Sequence, residues 1–114
     1  MFSQNLPPAQ LPNFRVDILR KIQPSTIMYL KAEINYTTLM YFYKPKIVIA
    51  RSLKCFTMIP ELSHYIRTHQ SFYVNPKYIK EVSIWNAQIT LTNGEVLPIS
   101  RRQIAVVQGF MDNQ

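Results

Sequence analysis

Residues 88–97 read QITLTNGEVL and hold the strongest turn signal of the chain. The pair Asn93-Gly94 separates two short runs in which apolar and polar residues alternate. An Asn-Gly pair favours the positive φ angles that a two-residue hairpin turn needs at both positions. The stretch therefore predicts a β-hairpin, and it points to a fold made of short antiparallel strands.

Working outward from this hairpin, further runs rich in β-branched and aromatic residues are bounded by proline or polar residues. Together with the hairpin they predict strands over residues 27–33, 36–43, 46–50, 71–74, 79–85, 88–92 and 95–97. The segment 14–22 is ambiguous, since Val16, Ile18 and Ile22 fit an alternating face while Leu19 fits a helical one. We interpret it as another strand.

Two short helices are predicted behind serine caps. Ser52 precedes apolar residues at helical spacing, and Pro60 ends that run because its ring clashes with the preceding turn. Ser100 precedes a second apolar helix, with Gly109 near its end. Residues 61–71 between these features are expected to form turns and a loop.

The length and composition of the chain allow one folded domain. At 114 residues with 47% apolar and 17% charged side chains, it can bury a core without metal or disulfides. Prolines concentrate before residue 14, which indicates a flexible tail. We expect a tail at 1–13, the domain at 14–110 and a C-terminal tail at 111–114.

The charge of the chain favours an anionic partner. Thirteen Lys and Arg against six Asp and Glu give a net charge of +7 and a pI near 9.8. Arg101 and Arg102 fall in the first turn of the predicted last helix, where the dipole prefers acidic groups. This placement suggests an external anion, although two solvated arginines on a basic, soluble surface would fit as well.

Enzymatic and metal-dependent functions find little support in the sequence. The single cysteine, Cys55, lies between apolar residues of a predicted helix, which favours packing over catalysis. His64 and His69 lack ligand partners at metal-binding spacing, and two glycines are too few for a phosphate-binding loop. We predict no catalytic residue, metal or cofactor, and an intracellular, cytoplasmic protein without membrane insertion, because no signal peptide or long apolar run is present.

Side chains suited to DNA recognition gather at strand ends and loops: residues 35–38 start one predicted strand, residues 67–71 lead into another, and residues 100–103 follow the last. Arginine can bind guanine O6 and N7, an amide can bind the N6/N7 edge of adenine, and hydroxyls can hold phosphates. Two alternatives stay open: a single-stranded nucleic-acid-binding domain that uses the many aromatics, and a protein-interaction module.

The order of several short motifs resembles the LytTR DNA-binding domain of bacterial transcription regulators. The resemblance runs from residue 27 to residue 110. The motifs that carry it are Glu33-Ile34-Asn35-Tyr36-Thr37, Leu53-Lys54, His69-Gln70-Ser71, Val74-Asn75, Tyr78-Ile79 and Ser100-Arg101-Arg102. Each is weak alone, and the ordered set is specific.

This resemblance implies a mainly β fold with short helices, an elongated set of small antiparallel sheets whose loops enter successive major grooves of double-stranded DNA. By the same resemblance, Thr37, Gln70 and Arg101 are expected to contact bases. Supporting or phosphate contacts are expected from Asn35, His69, Ser71, Arg102, Lys54, Arg67, Lys77 and Lys80.

Two departures from the family pattern stand out. Gln70 replaces the usual arginine of a His-Arg-Ser block, which should change the base preferred at that position from guanine to adenine. Family members that are response regulators carry an N-terminal receiver domain, and only residues 1–13 precede the expected fold. We therefore expect no receiver domain in this chain, which is either a stand-alone regulator or a fragment. Family members occupy repeated half-sites, which suggests pairing on DNA.

Overall fold

The computed structural model describes residues 14–113, with their side chains from Ile18 onwards. The expected tail at residues 1–13 lies outside the described residues, as does residue 114. The molecule extends 51 × 30 × 27 Å along its principal axes.

Short antiparallel strands form two sheets. The strands are β1 (Ile27–Ala32), β2 (Thr37–Tyr41), β3 (Ile47–Ile49), β4 (Ile66–His69), β5 (Phe72–Val74), β6 (Ile79–Ser83), β7 (Gln88–Leu91) and β8 (Val96–Pro98). The larger sheet has five strands in the order β3-β2-β1-β5-β4, and the smaller one has the order β6-β7-β8. The expected mainly β fold with short helices is confirmed.

Within residues 14–113, three helices and four single 3-10 turns connect or flank the strands. The helices are α1 (Phe14–Ile22), α2 (Leu53–Thr57) and α3 (Ile104–Asp112). The 3-10 turns are Pro24–Thr26, Pro60–Leu62, Pro76–Tyr78 and Arg101–Gln103. Three of these turns begin at proline, whose fixed φ suits the first position of a helical turn and whose missing N–H is not needed there.

β1 lies at the centre of the larger sheet and is buried on both faces. Its pairing with β2 shifts register between Ile27 and Tyr29, which is the signature of a β-bulge. The extra residue puts Met28 and Tyr29 on one side, while Ile27 and Leu30 lie on the other. One strand thereby contributes to two separate hydrophobic cores.

The two cores lie on opposite faces of this sheet. The helices α1 and α2 cover the first face, and the smaller sheet and α3 cover the second. The first core includes Ile18, Ile22, Leu39, Phe56 and Leu62. The second includes Val74, Ile89, Leu91, Leu97 and Val107. Burial of these aliphatic and aromatic side chains is the main term that stabilises the fold.

The end of the larger sheet where β1 begins, hereafter the tyrosine end, is closed by Tyr41, Tyr65 and Asn75. The Tyr41 hydroxyl donates to the carbonyl of Ile22 at 2.6 Å. The Tyr65 hydroxyl donates towards the Ile27 carbonyl at 2.9 Å, and the Asn75 amide donates to the same carbonyl at 3.1 Å. Burial raises the pKa of Tyr41 to about 12 and lifts the pKa of Tyr65 further above its usual range. These phenols stay protonated as hydrogen-bond donors.

The structure corrects the interpretation of residues 14–22, which form the helix α1 rather than a strand. Ile18, Leu19 and Ile22 follow helical spacing and pack against the first core, with Ile22 fully buried. An alternating strand face would have kept Leu19 away from Ile18 and Ile22. Tertiary packing of the apolar stripe decides in favour of the helix.

The prediction of a loop at residues 66–69 is also wrong, because this segment forms strand β4 at the edge of the larger sheet. Only Ile66 and Thr68 are buried, and Arg67 and His69 alternate with them. So short an edge strand carries little apolar signal.

At the C-terminal end of the described residues, α3 runs to Asp112, two residues past the expected end of the domain.

The hairpin predicted at Asn93-Gly94 is confirmed, but its turn type is not. Gly94 has a φ of 92°, whereas Asn93 is not among the residues with positive φ. The Gly94 N–H donates to the Leu91 carbonyl at 2.9 Å, and the Asn93 side chain accepts from the Glu95 N–H at 3.0 Å. The connection is a three-residue loop in which glycine alone takes the left-handed conformation.

Candidate nucleic-acid interface

At the other end of the larger sheet, where β1 ends, several connections come together. We call this the loop end; it comprises residues 33–36, 50–52 and 69–71. The Ala32 N–H donates to the Ser71 carbonyl at 2.8 Å, which holds the β1–β2 tip beside the β4–β5 tip. Connections far apart in sequence therefore share one edge of the fold.

The turn at residues 100–103 extends this edge. The Ser100 N–H donates to the Thr68 carbonyl at 2.9 Å, so the turn lies directly beside β4. With a strand spacing of about 4.8 Å, the edge from β3 to this turn covers five lateral steps, or about 24 Å. The polar loops thus form one continuous row.

The β4–β5 tip is shaped by Arg67 and His69. The Arg67 Nε donates to the His69 carbonyl at 3.0 Å, and its Nη2 donates to the Gln70 carbonyl at 2.6 Å. A register shift between Arg67 and His69 marks a bulge in β4, which turns the tip further. The guanidinium braces the backbone of the tip, and the Gln70 side chain is exposed at its corner.

The imidazole of His69 has a defined hydrogen-bond role. Its Nδ1 accepts from the Ser71 N–H at 3.1 Å. In a neutral imidazole the proton then lies on Nε2, which becomes a donor. The ring also packs edge-on to Phe72, with centroids 5.8 Å apart. His69 can therefore offer one oriented donor to an acceptor such as a phosphate oxygen.

An open cleft of about 560 Å³ lies between the β4–β5 tip and the neighbouring turn. Its lining consists of Arg67, His69, Gln70, Ser100, Arg102 and Gln103. The lining carries two guanidinium groups and no carboxylate, so its electrostatic potential suits an anion. Arg102 lines this cleft, whereas Arg101 is exposed outside the lining.

The two arginines lie in a single 3-10 turn, and the helix α3 itself begins at Ile104. Because this turn runs directly into α3, Arg101 and Arg102 lie at the N-terminal end of a continuous helical segment, where the helix dipole favours a negative group. Ser100 precedes the turn without a side-chain capping bond. Both guanidinium groups are exposed.

A second polar depression of about 400 Å³ lies further along the same edge, lined by residues that include Asn35, Arg51 and Ser52. Lys54 follows in the first turn of α2 and is exposed. This group carries positive charge and amide and hydroxyl functions, as the first cleft does.

This row of basic and amide side chains on hairpin tips has the chemistry of a DNA-binding surface, and comparison with known proteins leads to the same conclusion. The sequence profile of the LytTr DNA-binding domain family matches residues 17–112. The chain belongs to the LytTR family of DNA-binding domains. It therefore binds DNA and acts in transcription regulation, and the family is one of DNA-binding domains rather than enzymes.

A solved LytTR structure resembles the chain over most of its length. It is the LytTr DNA-binding domain of a protein assigned as a methyl-accepting/DNA response regulator of Bacillus cereus. The TM-score is 0.68 at 25% sequence identity, over 77% of this chain and 83% of that one. No curated protein sequence matches the chain.

In this LytTR domain, the structure does not bring Thr37 to the surface. Thr37 is fully buried, and its hydroxyl donates to the Arg51 carbonyl at 2.7 Å. A side chain in this position has no free path to a base edge. Its place in the fold is to join β2 to the loop that precedes α2, so it positions Arg51 and Ser52.

The other expected site residues divide into two groups. Asn35, Lys54, Arg67, His69, Gln70, Ser71, Arg101 and Arg102 lie at or beside the loop end. Lys77 lies at the tyrosine end, with its Nζ 5.6 Å from the centre of the Tyr78 ring. Lys80 lies in β6 next to Ile79, which pairs with Leu91 beside the 92–94 loop. Neither Lys77 nor Lys80 joins the row.

Sequence reasoning missed Arg51 and did not single out Gln103. Arg51 lines the second depression, and its Nη1 donates to the Ala50 carbonyl at 3.0 Å. An arginine directly before the serine that starts α2 was the available signal. Gln103 lies one residue past the arginine pair and lines the first cleft.

The longest helices of the described chain, α1 and α3, have nine residues each, and neither is long enough to cross a membrane.

Proposed function

We propose that this LytTR domain binds double-stranded DNA in a sequence-specific manner, with the β4–β5 tip and the 100–103 turn in one major groove. The observation that carries the proposal is the cleft that Gln70 and Arg102 both line. Arginine binds guanine O6 and N7, and glutamine binds adenine N6 and N7, so the pair can distinguish bases.

The roles of the two arginines follow from their positions. Arg102 lines the cleft with Gln70, which favours it for base recognition. Arg101, exposed outside the lining, fits a phosphate contact better than the base contact expected from the sequence. His69 is suited to donate from Nε2 to a phosphate, since Nδ1 is occupied by Ser71.

The dimensions of the loop end fit duplex DNA. The β1–β2 and β4–β5 tips are about 10 Å apart, two strand spacings, which is close to the width of about 12 Å of the major groove. The whole row of about 24 Å is shorter than one helical turn of about 34 Å. Asn35, Ser52 and Lys54 would then face the adjacent backbone and groove.

A single-stranded partner has less support. Recognition of unpaired bases needs aromatic rings displayed on a sheet face. The strand residues Tyr41 and Tyr73 are buried, and their hydroxyls donate to the carbonyls of Ile22 and Leu62. These rings serve packing and hydrogen bonding inside the fold.

The proposal is tested by selecting binding sites from a random duplex pool and measuring affinities for the selected and a scrambled duplex. Arg102→Ala should weaken binding to the selected duplex by about 1–3 kcal/mol, with little change on the scrambled one. Arg101→Ala, the matched control, should weaken both about equally. Selection of no sequence, or stronger binding to the single strand than to the duplex, would exclude the proposal.

Salt dependence provides a second check on the class of partner. Affinity for the duplex should fall steeply with salt, because each phosphate contact releases counterions. A duplex affinity that does not change with salt would contradict binding through phosphate contacts. Pairing on repeated half-sites stays a prediction, and the stoichiometry on duplexes with one or two copies of the selected site tests it.

A further inference from the structure

The two most exposed large hydrophobic side chains of the described chain are Trp85, 99% exposed, and Ile34, 96% exposed. Ile34 belongs to the β1–β2 tip at the loop end. Trp85 belongs to the β6–β7 tip, residues 84–87, in the smaller sheet. Isolated exposed hydrophobic residues are common, so only their place in the fold gives them meaning.

The β6–β7 tip lies beside the turn that carries the arginines. Gln88 pairs with Pro98, and the Ile99 N–H donates to the Ala87 carbonyl at 2.8 Å. The ladder between β7 and the chain after β8 therefore continues to the residue before Ser100. Trp85 and Asn86, the corner residues of the tip, are placed one lateral step beyond the 100–103 turn.

This tip has a fixed shape. The Ala87 N–H donates to the Ile84 carbonyl at 3.2 Å, and the Asn86 N–H donates to the Ser83 hydroxyl at 3.3 Å. Ala87 has a φ of 51°, a left-handed conformation that a residue with a Cβ rarely adopts. The surrounding bonds thus hold a strained turn that presents Trp85 to solvent. A backbone that is already ordered loses little entropy on binding.

We propose that Trp85 is a DNA-contact residue that packs on the sugar–phosphate backbone next to the groove occupied by the 100–103 turn. The inference rests on the proposed function and adds a contact element that none of the three recognition loops contains.

The chemistry of the tip favours DNA over a protein surface or a second copy of the chain. Residues 83–88 carry no charge, and their neighbours Arg101 and Arg102 are both cationic. The indole N–H is a donor without acceptor capacity, and the phosphate oxygens of DNA only accept. The ring itself offers a flat apolar surface for deoxyribose. Because the β6–β7 tip adjoins the 100–103 turn, one duplex can contact both Trp85 and the arginines of that turn.

Trp85 is the only tryptophan of the chain, so its fluorescence reports on this tip alone. The selected duplex is titrated into the full chain while acrylamide quenching of the emission is followed. Binding should shield the indole and lower the quenching constant at least about twofold, because a ring packed on DNA is less accessible. An unchanged quenching constant at saturating duplex would overturn the inference.

Affinity for a fluorescein-labelled selected duplex provides the second arm. Trp85→Ala should weaken binding about tenfold, as expected when a well-packed aromatic anchor is removed. The matched control is Tyr43→Ala, an aromatic 81% exposed in the connection between β2 and β3 at the tyrosine end, which should stay within about twofold. Trp85→Phe should lie between the two, since it keeps a ring and loses the N–H donor.

The outcomes separate this inference from the proposed function. If wild-type protein fails to select or bind any duplex, the proposed function itself is wrong. If the duplex binds and Arg102→Ala weakens it, yet Trp85→Ala binds within twofold of wild type, only the inference fails. If Trp85→Ala turns a dimer into a monomer in sedimentation without changing the affinity of each chain, the tip joins two copies and the inference is overturned.

Discussion

Asn75 and Asn35 occupy opposite ends of the five-stranded sheet. Asn75 is 1% exposed, and its side chain binds the Ile27 carbonyl, the Tyr65 hydroxyl and the Lys77 N–H. Asn35 is exposed at the β1–β2 tip and lines a polar depression. The same residue type is buried and hydrogen-bonded at one end and exposed to solvent at the other. The comparison teaches that a polar motif residue has to be judged by where its hydrogen bonds go.

The largest effect is expected at the tyrosine end. Asn75→Ala should lower the free energy of unfolding by about 2–4 kcal/mol, because it removes the buried amide that donates to the Ile27 carbonyl and the Tyr65 hydroxyl and accepts from the Lys77 N–H. DNA affinity of the folded fraction should not change. Urea unfolding measures the first effect, and titration well below the unfolding midpoint measures the second.

The matched control is Asn35→Ala at the loop end. Its unfolding free energy should stay within about 0.5 kcal/mol of wild type, since the residue is exposed. Its DNA affinity should fall. Equal losses of stability for the two asparagine variants would remove the contrast between the ends.

At the loop end, Gln70→Arg should change specificity rather than stability. An arginine here should move the preference at one operator position from adenine towards guanine, by about 1–3 kcal/mol of discrimination. Site selection with the variant measures this. Gln108→Arg adds the same charge on the exposed face of α3 and should leave the selected sequence unchanged. A selection profile identical to wild type would remove Gln70 from base recognition.

Thr37→Val tests whether a buried residue near the loop end affects stability alone, as residues at the tyrosine end are expected to do. Loss of the bond from its hydroxyl to the Arg51 carbonyl should destabilise the fold by about 1 kcal/mol, without altering the bases selected. Thr68→Val is the control, because the Thr68 hydroxyl is buried and has no hydrogen-bond partner among the described residues. This second change should be neutral or stabilising. A changed base preference in Thr37→Val would restore the role expected from the sequence.

Much of the fold was predictable from local patterns. Runs of β-branched and aromatic residues bounded by proline or polar residues located seven of the eight strands of the described residues, and Asn93-Gly94 located a hairpin. The errors occurred where local patterns compete. Ile18, Leu19 and Ile22 satisfy a helical stripe, and only the presence of a core to pack against selects it. Strand β4 lacks a clear apolar pattern, because two of its four residues, Arg67 and His69, are polar and form hydrogen bonds within the β4–β5 tip.

The three segments of the site were predictable from the sequence, but their arrangement on one surface was not. Gln70 and Arg102 lie 32 positions apart in sequence, and they meet because β5 returns beside β1 and Ser100 binds Thr68. Strand order is a tertiary property that residue types do not encode locally. The burial of Thr37 has a similar origin, because β2 lies between β1 and β3 and the Thr37 hydroxyl donates to the Arg51 carbonyl, which the local sequence does not show.

The tyrosine end should also set the alkaline limit of stability. Burial raises the pKa of folded Tyr41 from 10.0 to about 12, so the unfolded chain loses this proton first as the pH rises. Stability is therefore full below pH 10 and declines as the pH approaches 12. Tyr41→Phe should flatten this decline in urea unfolding, whereas Tyr43→Phe, a change at an exposed position, should not. Identical pH profiles for all three proteins would refute the role of Tyr41.

The smallest effects should come from single lysines, and they define how far DNA extends over the surface. Lys54→Ala at the loop end should weaken binding to all duplexes alike and lower the salt slope by about 1, as expected for one lost phosphate contact. Lys77→Ala at the tyrosine end should change affinity less than about twofold, because its Nζ lies over the Tyr78 ring and away from the row. Equal salt slopes for the two variants would mean that DNA also covers the tyrosine end, and the contrast between a closed end and a binding end would no longer hold.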